Sequence, residues 1–136
     1  MLVAYDGSAG ARRALDAALD LARLMHAEVW ALAVEERLPR LAATVGEMEE
    51  EKSLADWTCE EMLEQASLYA QCKGVELRRV IRAGQVACTI IDVASEHDVD
   101  IIVLGHSAHT SIWQRVVGTT AEKVSRHARC HVLLVR

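Results

Sequence analysis

The sequence predicts an α/β fold, in which an open, doubly wound parallel sheet of five strands carries helices on both faces. Five short apolar segments alternate along the chain with four amphipathic segments, in the order β-α-β-α-β-α-β-α-β. This alternation favours a parallel sheet with right-handed crossovers. Several of the apolar segments have no polar face, as expected for strands covered by helices on both sides. The length of 136 residues predicts a single domain.

The first βαβ unit is predicted from residues 2–34. Leu2–Tyr5 is an apolar run that ends in the polar turn Asp6-Gly7-Ser8, where Ser8 or Asp6 is placed to cap a following helix. The apolar face of this helix is predicted to consist of Ala11, Ala14, Leu15, Ala18, Leu21, Ala22 and Met25. Val29–Val34 is apolar on both faces and is predicted to be a buried second strand.

The middle of the chain predicts a loop, a long helix and an edge strand. The segment 35–46 contains Pro39 and no clear period, so we expect a loop there. A long helix that ends near Gly74 is predicted from an apolar face of Ala55, Cys59, Met62, Leu63, Ala66, Tyr69 and Ala70. Val75–Arg82 alternates imperfectly, which favours a strand with one wet face at the edge of the sheet.

The last third predicts two more helices and two strands. Gly84 turns the chain into a helix with Val86, Ile90 and Val93 along one stripe. Ile101–Leu104 is a wholly apolar fourth strand. Thr119 or Thr120 is placed to cap the final helix, and the last strand is predicted within His131–Arg136.

Composition excludes several classes of protein. Apolar residues make up 51% and charged residues 26%, which disfavours disordered and fibrous chains. The longest apolar runs are short beside the roughly 20 residues of a membrane span, and the start of the chain lacks a basic segment, so we expect no membrane insertion and a cytoplasmic location. The four cysteines form no C-x-x-C pair and are expected to be buried, free thiols.

Charge is distributed unevenly along this mildly acidic chain of net charge −5. Residues 35–64 hold ten acidic and three basic residues, whereas residues 105–136 hold five basic residues and one acidic residue. A basic end of an acidic protein suggests a small anionic ligand, although both charged regions are also compatible with a role in solubility alone. The overall sign and the low aromatic content disfavour nucleic acid as a partner.

Ligands of open parallel sheets bind beyond the carboxyl ends of the strands. The longest connection there is 105–120, in which Gly105 permits a sharp turn and a close approach to a ligand. Gly118, Thr119 and Thr120 place amides and hydroxyls at a helix N-terminus, where the helix dipole favours phosphate. In the first turn, the Asp6 carboxylate is able to bind ribose hydroxyls. Each of these residues alone is also compatible with an ordinary turn or cap.

Gly105-His-Ser-Ala108, nine residues and then Gly118-Thr119 resemble the nucleotide-binding motif of the universal stress protein family, G-x-x-G-x9-G-[ST]. The opening segment 3–8, the strand 100–105 and the closing segment 124–136 resemble that family as well, so the resemblance spans the whole chain. It implies a Rossmann-like sheet of strand order 3-2-1-4-5, a homodimer and, in one branch of the family, an ATP or AMP site. Another branch lacks the glycine motif and is not thought to bind nucleotide.

The resemblance also implies roles for individual residues. Asp6 would hold the ribose, while Ala4 and Val34 would line the adenine, with Val34 offering backbone hydrogen bonds. The residues that would surround the phosphates are Gly105, Gly118, Thr119 and Thr120. A divalent ion, Mg²⁺ or Mn²⁺, would bridge the phosphates of ATP rather than be held by protein ligands.

Ala108 departs from the family motif, because it stands where the second glycine is expected. Its methyl group matters if that position requires a positive φ or if phosphate packs against the Cα atom. We expect weakened rather than abolished nucleotide binding, with His109 facing the phosphates and offsetting part of the loss. The alternative function is that of a nucleotide-free, dimeric interaction protein of the same fold.

Other chemistries are disfavoured by the motifs that the sequence lacks. The pair His106-x-x-His109 has no accompanying carboxylates, which disfavours a protein-held metal. Ser107 and Ser111 lack the Gly-x-Ser-x-Gly elbow of a hydrolase, and no G-x-G-x-x-G follows the first strand. We expect at most slow ATP hydrolysis. The last strand, His131–Arg136, is expected to lie at a sheet edge and to pair with its twofold mate.

Overall fold

The computed structural model describes the backbone of residues 1–36, 45–106 and 120–136 and, outside 45–57, their side chains. Nine elements follow one another along these residues: β1 (Leu2–Ala4), α1 (Ala9–Met25), β2 (Val29–Glu35), α2 (Val45–Cys72), β3 (Leu77–Ala83), α3 (Val86–Glu96), β4 (Ile101–Gly105), α4 (Thr120–His127) and β5 (His131–Val135). The strands are parallel and form one sheet in the order β3-β2-β1-β4-β5, which confirms the predicted fold. Within the described ranges, none of the helices combines the length and the apolar character that a membrane span requires.

The sheet separates two apolar layers, because successive side chains of a strand point to opposite faces. On one face α1 and α2 cover the central strands, and the fully buried side chains there include Val3, Leu15, Leu19, Leu63 and Val103. On the other face Ile90 of α3 and Val124 of α4 share a buried apolar cluster with the strand residues Leu2, Leu32 and Ile102. Strands β1, β2 and β4 are therefore buried on both sides, as their apolar sequences predict.

The start of α1 is capped as predicted. The Ser8 hydroxyl accepts a hydrogen bond from the Ala11 amide at 3.1 Å, and Asp6 Oδ1 accepts one from the Ser8 amide at 3.0 Å. At the other end of the helix, the predicted apolar face is wrong in one place. Met25 is 57% exposed, whereas Leu19 is fully buried. Met25 points in nearly the same direction from the helix axis as buried Ala18. It is exposed because it is the last residue of α1.

The long helix α2 begins earlier than predicted. Its first residue is Val45, so the expected loop of residues 35–46 overlaps β2 at one end and α2 at the other, while Pro39 lies outside the described residues. The helix ends near Gly74, which has a φ of +74°, in agreement with the prediction. Tyr69 was expected on the apolar face but is 44% exposed.

Tyr69 belongs instead to a polar cluster that joins α2 to α1. Lys73 forms ion pairs with Asp16 and Asp20 of α1, and the Tyr69 hydroxyl donates to Asp16. The hydrogen bonds from Lys73 and then from Tyr69 lower the pKa of Asp16. The bond to Asp16 raises the pKa of Tyr69 in turn. Tyr69, which the sequence assigned to the core, thus links the exposed surfaces of α1 and α2 through its hydrogen bond to Asp16.

None of the four cysteines forms a disulfide, but the expectation that they are buried is wrong for two of them and holds only in part for the other two. Cys72 and Cys88 are exposed, while Cys59 and Cys130 are partly buried. Cys72 is the last residue of α2, and Cys88 lies in the first turn of α3 on the side that faces solvent. Burial raises the pKa of the Cys130 thiol.

Candidate functional site

A cleft of about 320 Å³ lies at the carboxyl ends of β1 and β4. This is the point where the strand order reverses, because the chain leaves β1 first toward β2 and later returns to β4 on its other side. The described lining includes five of the nine predicted site residues, which are Ala4, Asp6, Val34, Gly105 and Thr120. The remaining four, Ala108, His109, Gly118 and Thr119, lie outside the described residues.

One wall of the cleft is formed where β2 continues past the end of β1. Ala4, the last residue of β1, pairs with Leu32, whose carbonyl accepts a hydrogen bond from the Tyr5 amide at 2.8 Å. Val34 follows Leu32 by two residues, so its amide and carbonyl face the same side of β2, beyond the end of β1. A strand end of this kind presents one donor and one acceptor to a planar ligand.

Asp6 lies at the mouth of the cleft, in the turn between β1 and α1. Its Oδ1 atom accepts from the Ser8 amide, which orients the carboxylate, and Gly7 between them has a φ of +73°. A side chain at Gly7 would be strained in this conformation, and its Cβ would lie 3.0 Å from the Met62 sulfur. A carboxylate accepts about four hydrogen bonds, so Asp6 retains capacity for the hydroxyls of a ligand.

Gly105 is required by the packing of the protein itself. A Cβ atom added there would lie 2.2 Å from both the carbonyl carbon and the oxygen of Gly10 and 2.7 Å from the Ala11 nitrogen. The end of β4 is thus in direct contact with the backbone of the first turn of α1. The sequence suggested that this glycine serves a sharp turn and a close approach to a ligand, but its closest approach is to a helix 95 positions earlier.

The far side of the cleft is formed by the first turn of α4. Thr120 is exposed, begins this helix and lines the cleft together with Ala121. The amides at the start of a helix lack partners within the helix, and the helix dipole favours the binding of an anion to them. Thr120 thus lines the same cleft as Gly105.

The apolar floor of the cleft was missed in the sequence. It is formed by residues from four of the strands and helices and from the turn after β1, namely Tyr5, Leu32, Val86, Ile90, Leu104 and Ala121. Val86 was within reach of prediction, since it follows the turn at Gly84, which also lies at the carboxyl end of a strand. The other side chains are buried or, for Ala121, partly buried, and their exposure to a cleft depends on how the helices are placed.

The charges at the described lining are acidic. Asp6 and Glu36 are exposed carboxylates, and the described lining contains no lysine or arginine. Among the described residues, no group of three or more His, Cys, Asp or Glu side chains is arranged to hold a metal ion. A second depression, of about 410 Å³, lies at the opposite end of the sheet beside Arg23, His26 and Arg78 and contains none of the predicted site residues.

The fold and the position of the cleft define the class of doubly wound α/β domains with a ligand site at the topological switch point. The sequence model of the universal stress protein family matches residues 1–136. The chain belongs to the universal stress protein family.

Individual relatives cover nearly the full length of the chain. The chain is 33% identical over 144 residues to universal stress protein YxiE of Bacillus subtilis, an alignment that covers 100% of this chain and 97% of that protein. The structure of universal stress protein UspA from Lactobacillus plantarum superposes with a TM-score of 0.82 at 28% identity, over 99% of this chain and 95% of that chain. A universal stress protein from Archaeoglobus fulgidus in complex with dAMP has the same fold, with a TM-score of 0.67 at 24% identity over 99% and 95% of the two chains.

Proposed function

We propose that the cleft binds an adenine nucleotide, ATP or AMP, and that the protein is a regulatory module whose state follows the level of that nucleotide in the stress response. One observation supports this proposal above the others. Five residues to which the family resemblance assigns base, ribose or phosphate contacts line a single cleft, although they range from Ala4 to Thr120 in the chain.

The order of these residues across the cleft suits a nucleotide. Val34 would bind the adenine through its backbone amide and carbonyl, above the apolar floor. Asp6 would accept hydrogen bonds from the ribose hydroxyls. Gly105 and Thr120 would contact the phosphates, and Ala108, His109, Gly118 and Thr119 would complete the site. Mg²⁺ or Mn²⁺ would bridge the phosphates of ATP. The dAMP bound by the Archaeoglobus fulgidus protein is consistent with a ligand of this class.

The proposal is tested by calorimetric titration of AMP and ATP into the wild type and into Asp6→Asn. Asparagine keeps the size of Asp6 but removes the charge that a ribose hydroxyl binds best. We expect Kd to rise about tenfold, as for the loss of one charged hydrogen bond. Asp92→Asn removes an exposed acid of α3 that is not part of the cleft lining and is the matched control. Absence of heat at millimolar nucleotide with the wild type would contradict the proposal.

We also propose that the protein is a homodimer that pairs through β5. The two edges of the sheet differ, because β3 carries three exposed arginines, Arg78, Arg79 and Arg82, each paired with a glutamate. Charged side chains of this kind protect an edge strand from pairing. The edge strand β5 has the sequence HVLLV, and its Leu134 side chain is 50% exposed.

The dimer is tested by sedimentation of Leu134→Lys. We expect a dimeric wild type and a monomeric variant at tens of micromolar, because a lysine at the edge opposes strand pairing. Leu24→Lys, at an 80% exposed position near the end of α1, is the matched control and should remain dimeric. A monomeric wild type would rule out the dimer.

A nucleotide-free interaction protein of the same fold is the second candidate function. Two observations favour it, namely Ala108 in place of the second motif glycine and the acidic pair Asp6 and Glu36 at the cleft, which disfavours an anion. A dimer that binds neither AMP nor ATP would support this function over the first.

A further inference from the structure

The backbone that follows β4 is held from two sides before it reaches residue 107. On one side the His106 amide donates a hydrogen bond to the Val135 carbonyl at 2.7 Å, which continues the pairing of β4 with β5. On the other side the Arg13 guanidinium donates to the His106 carbonyl at 3.5 Å. Both backbone polar groups of His106 therefore have partners on other elements, and one of these partners is a cationic side chain of α1.

Arg13 reaches this position because of the contact between Gly10 and Gly105. Without a Cβ on Gly105, the first turn of α1 lies against the end of β4. Arg13 follows Gly10 by three residues, so it lies on the same side of α1, one turn further along the helix. The neighbouring Arg12 is displaced by about 100° around the helix axis and carries the same charge. The chain thus provides one arginine at the end of β4 and a matched one beside it.

The chemistry of Arg13 complements that of the cleft. The described lining contributes the carboxylates of Asp6 and Glu36 and no cation, although the proposed ligand carries a phosphate chain at the Gly105 side. A guanidinium has five N–H donors in a planar fork, and one long bond to a carbonyl leaves most of them for another acceptor. Phosphate oxygens are acceptors that suit this fork.

We infer that Arg13 is a positioning residue for the phosphate side of the site, which fixes the backbone at Gly105 and His106 and supplies positive charge there. It thereby selects phosphorylated adenine compounds over adenosine. This inference rests on the proposed adenine-nucleotide function and adds to it the feature that discriminates between ligands with and without phosphate. Because the side chain is exposed, its influence on binding depends on salt.

The experiment measures Kd for ATP, AMP and adenosine with the wild type, Arg13→Gln, Arg13→Lys and Arg12→Gln. At low salt we expect Arg13→Gln to raise Kd for ATP about 3- to 10-fold and Kd for adenosine less than about twofold. The effect on ATP should shrink in about 0.5 M salt. Arg13→Lys, which keeps the charge but loses the fork, should fall between the wild type and Arg13→Gln. Arg12→Gln should change no Kd more than about twofold.

Three outcomes would overturn the inference. Equal effects of Arg13→Gln and Arg12→Gln on ATP would mean that only the general charge of α1 matters. An equal loss of adenosine and ATP binding by Arg13→Gln would indicate a purely structural role. An unchanged Kd for ATP in Arg13→Gln would remove Arg13 from the site while leaving the proposed function intact. A wild type that binds none of the three ligands would instead refute the proposed function itself, and the inference with it.

Discussion

The contact between Gly105 and Gly10 leads to a prediction that separates packing from ligand binding. In the ligand-free protein, Gly105→Ala would place its methyl group 2.2 Å from two backbone atoms of Gly10 and 2.7 Å from the Ala11 nitrogen. Ordinary carbon contacts are about 3.5–4.0 Å, so α1 or β4 would have to move by more than 1 Å to make room. Neither partner is a flexible side chain, because the contact joins the backbone of a sheet strand to the backbone of a helix packed on that sheet.

The expected cost follows from this geometry. Overpacking of a core costs typically about 1–3 kcal/mol in the free energy of unfolding, and a clash between two backbone segments belongs at the upper end of that range. Backbone strain adds nothing, because the described glycines with a positive φ are Gly7, Gly74 and Gly84. We therefore predict that Gly105→Ala lowers the free energy of unfolding by about 2–3 kcal/mol in the absence of nucleotide.

The assay is urea denaturation without nucleotide, followed by far-UV circular dichroism at one fixed protein concentration, because a dimer would make stability depend on concentration. Gly74→Ala is the control for a glycine in open space, where the methyl group meets nothing within 4 Å and only the positive φ costs energy. That control should lose about 1–2 kcal/mol. A loss below about 0.5 kcal/mol for Gly105→Ala would refute the packing explanation, and Gly105 would then have to be explained by the ligand.

Two further predictions concern the polar cluster and the thiols. The folded-state pKa of Asp16 lies below its ordinary value of 3.8, so its contribution to stability is present above that value and is lost as the pH falls through the folded-state pKa. Asp16→Asn should therefore weaken the fall in the free energy of unfolding at acidic pH. An unchanged acidic pH dependence would show that Lys73 does not hold this carboxylate. Cys72 and Cys88 should react first with a thiol reagent. Cys130 should react later, because burial raises its pKa and only the thiolate reacts. Peptide mass spectrometry would show the order of modification, and early modification of Cys130 would contradict the prediction.

The order of elements could be predicted from the sequence because it depends on local pattern. The apolar runs at β2 and β4 leave no polar face, so burial on both sides was the simplest interpretation. The alternation of polar and apolar residues in β3 correctly indicated a strand at the edge of the sheet. The cap at Ser8 also depends on neighbours within three residues. Each of these features is determined by residues that are close in the chain.

The errors concern features that depend on residues far apart. Tyr69 was assigned to the core because it follows the spacing of the apolar residues of α2. Its hydroxyl instead donates a hydrogen bond to Asp16 on the neighbouring helix α1. Cysteine is a residue type that is usually buried, but Cys72 is exposed because it lies at the end of α2. Gly105 matched a nucleotide motif, yet no local pattern could indicate that Gly10 lies against it. The motif therefore contains at least one residue that the fold requires with or without a ligand.

The most direct test of the proposed function is a titration of the ¹⁵N-labelled protein with AMP, followed by the amide shifts of assigned residues. A nucleotide in the cleft predicts the largest changes at Asp6, Val34 and Thr120, with little change at Asp98 and Arg129 at the opposite end of the sheet. Shifts confined to that opposite end, or no shifts at millimolar AMP, would contradict adenine-nucleotide binding in the cleft.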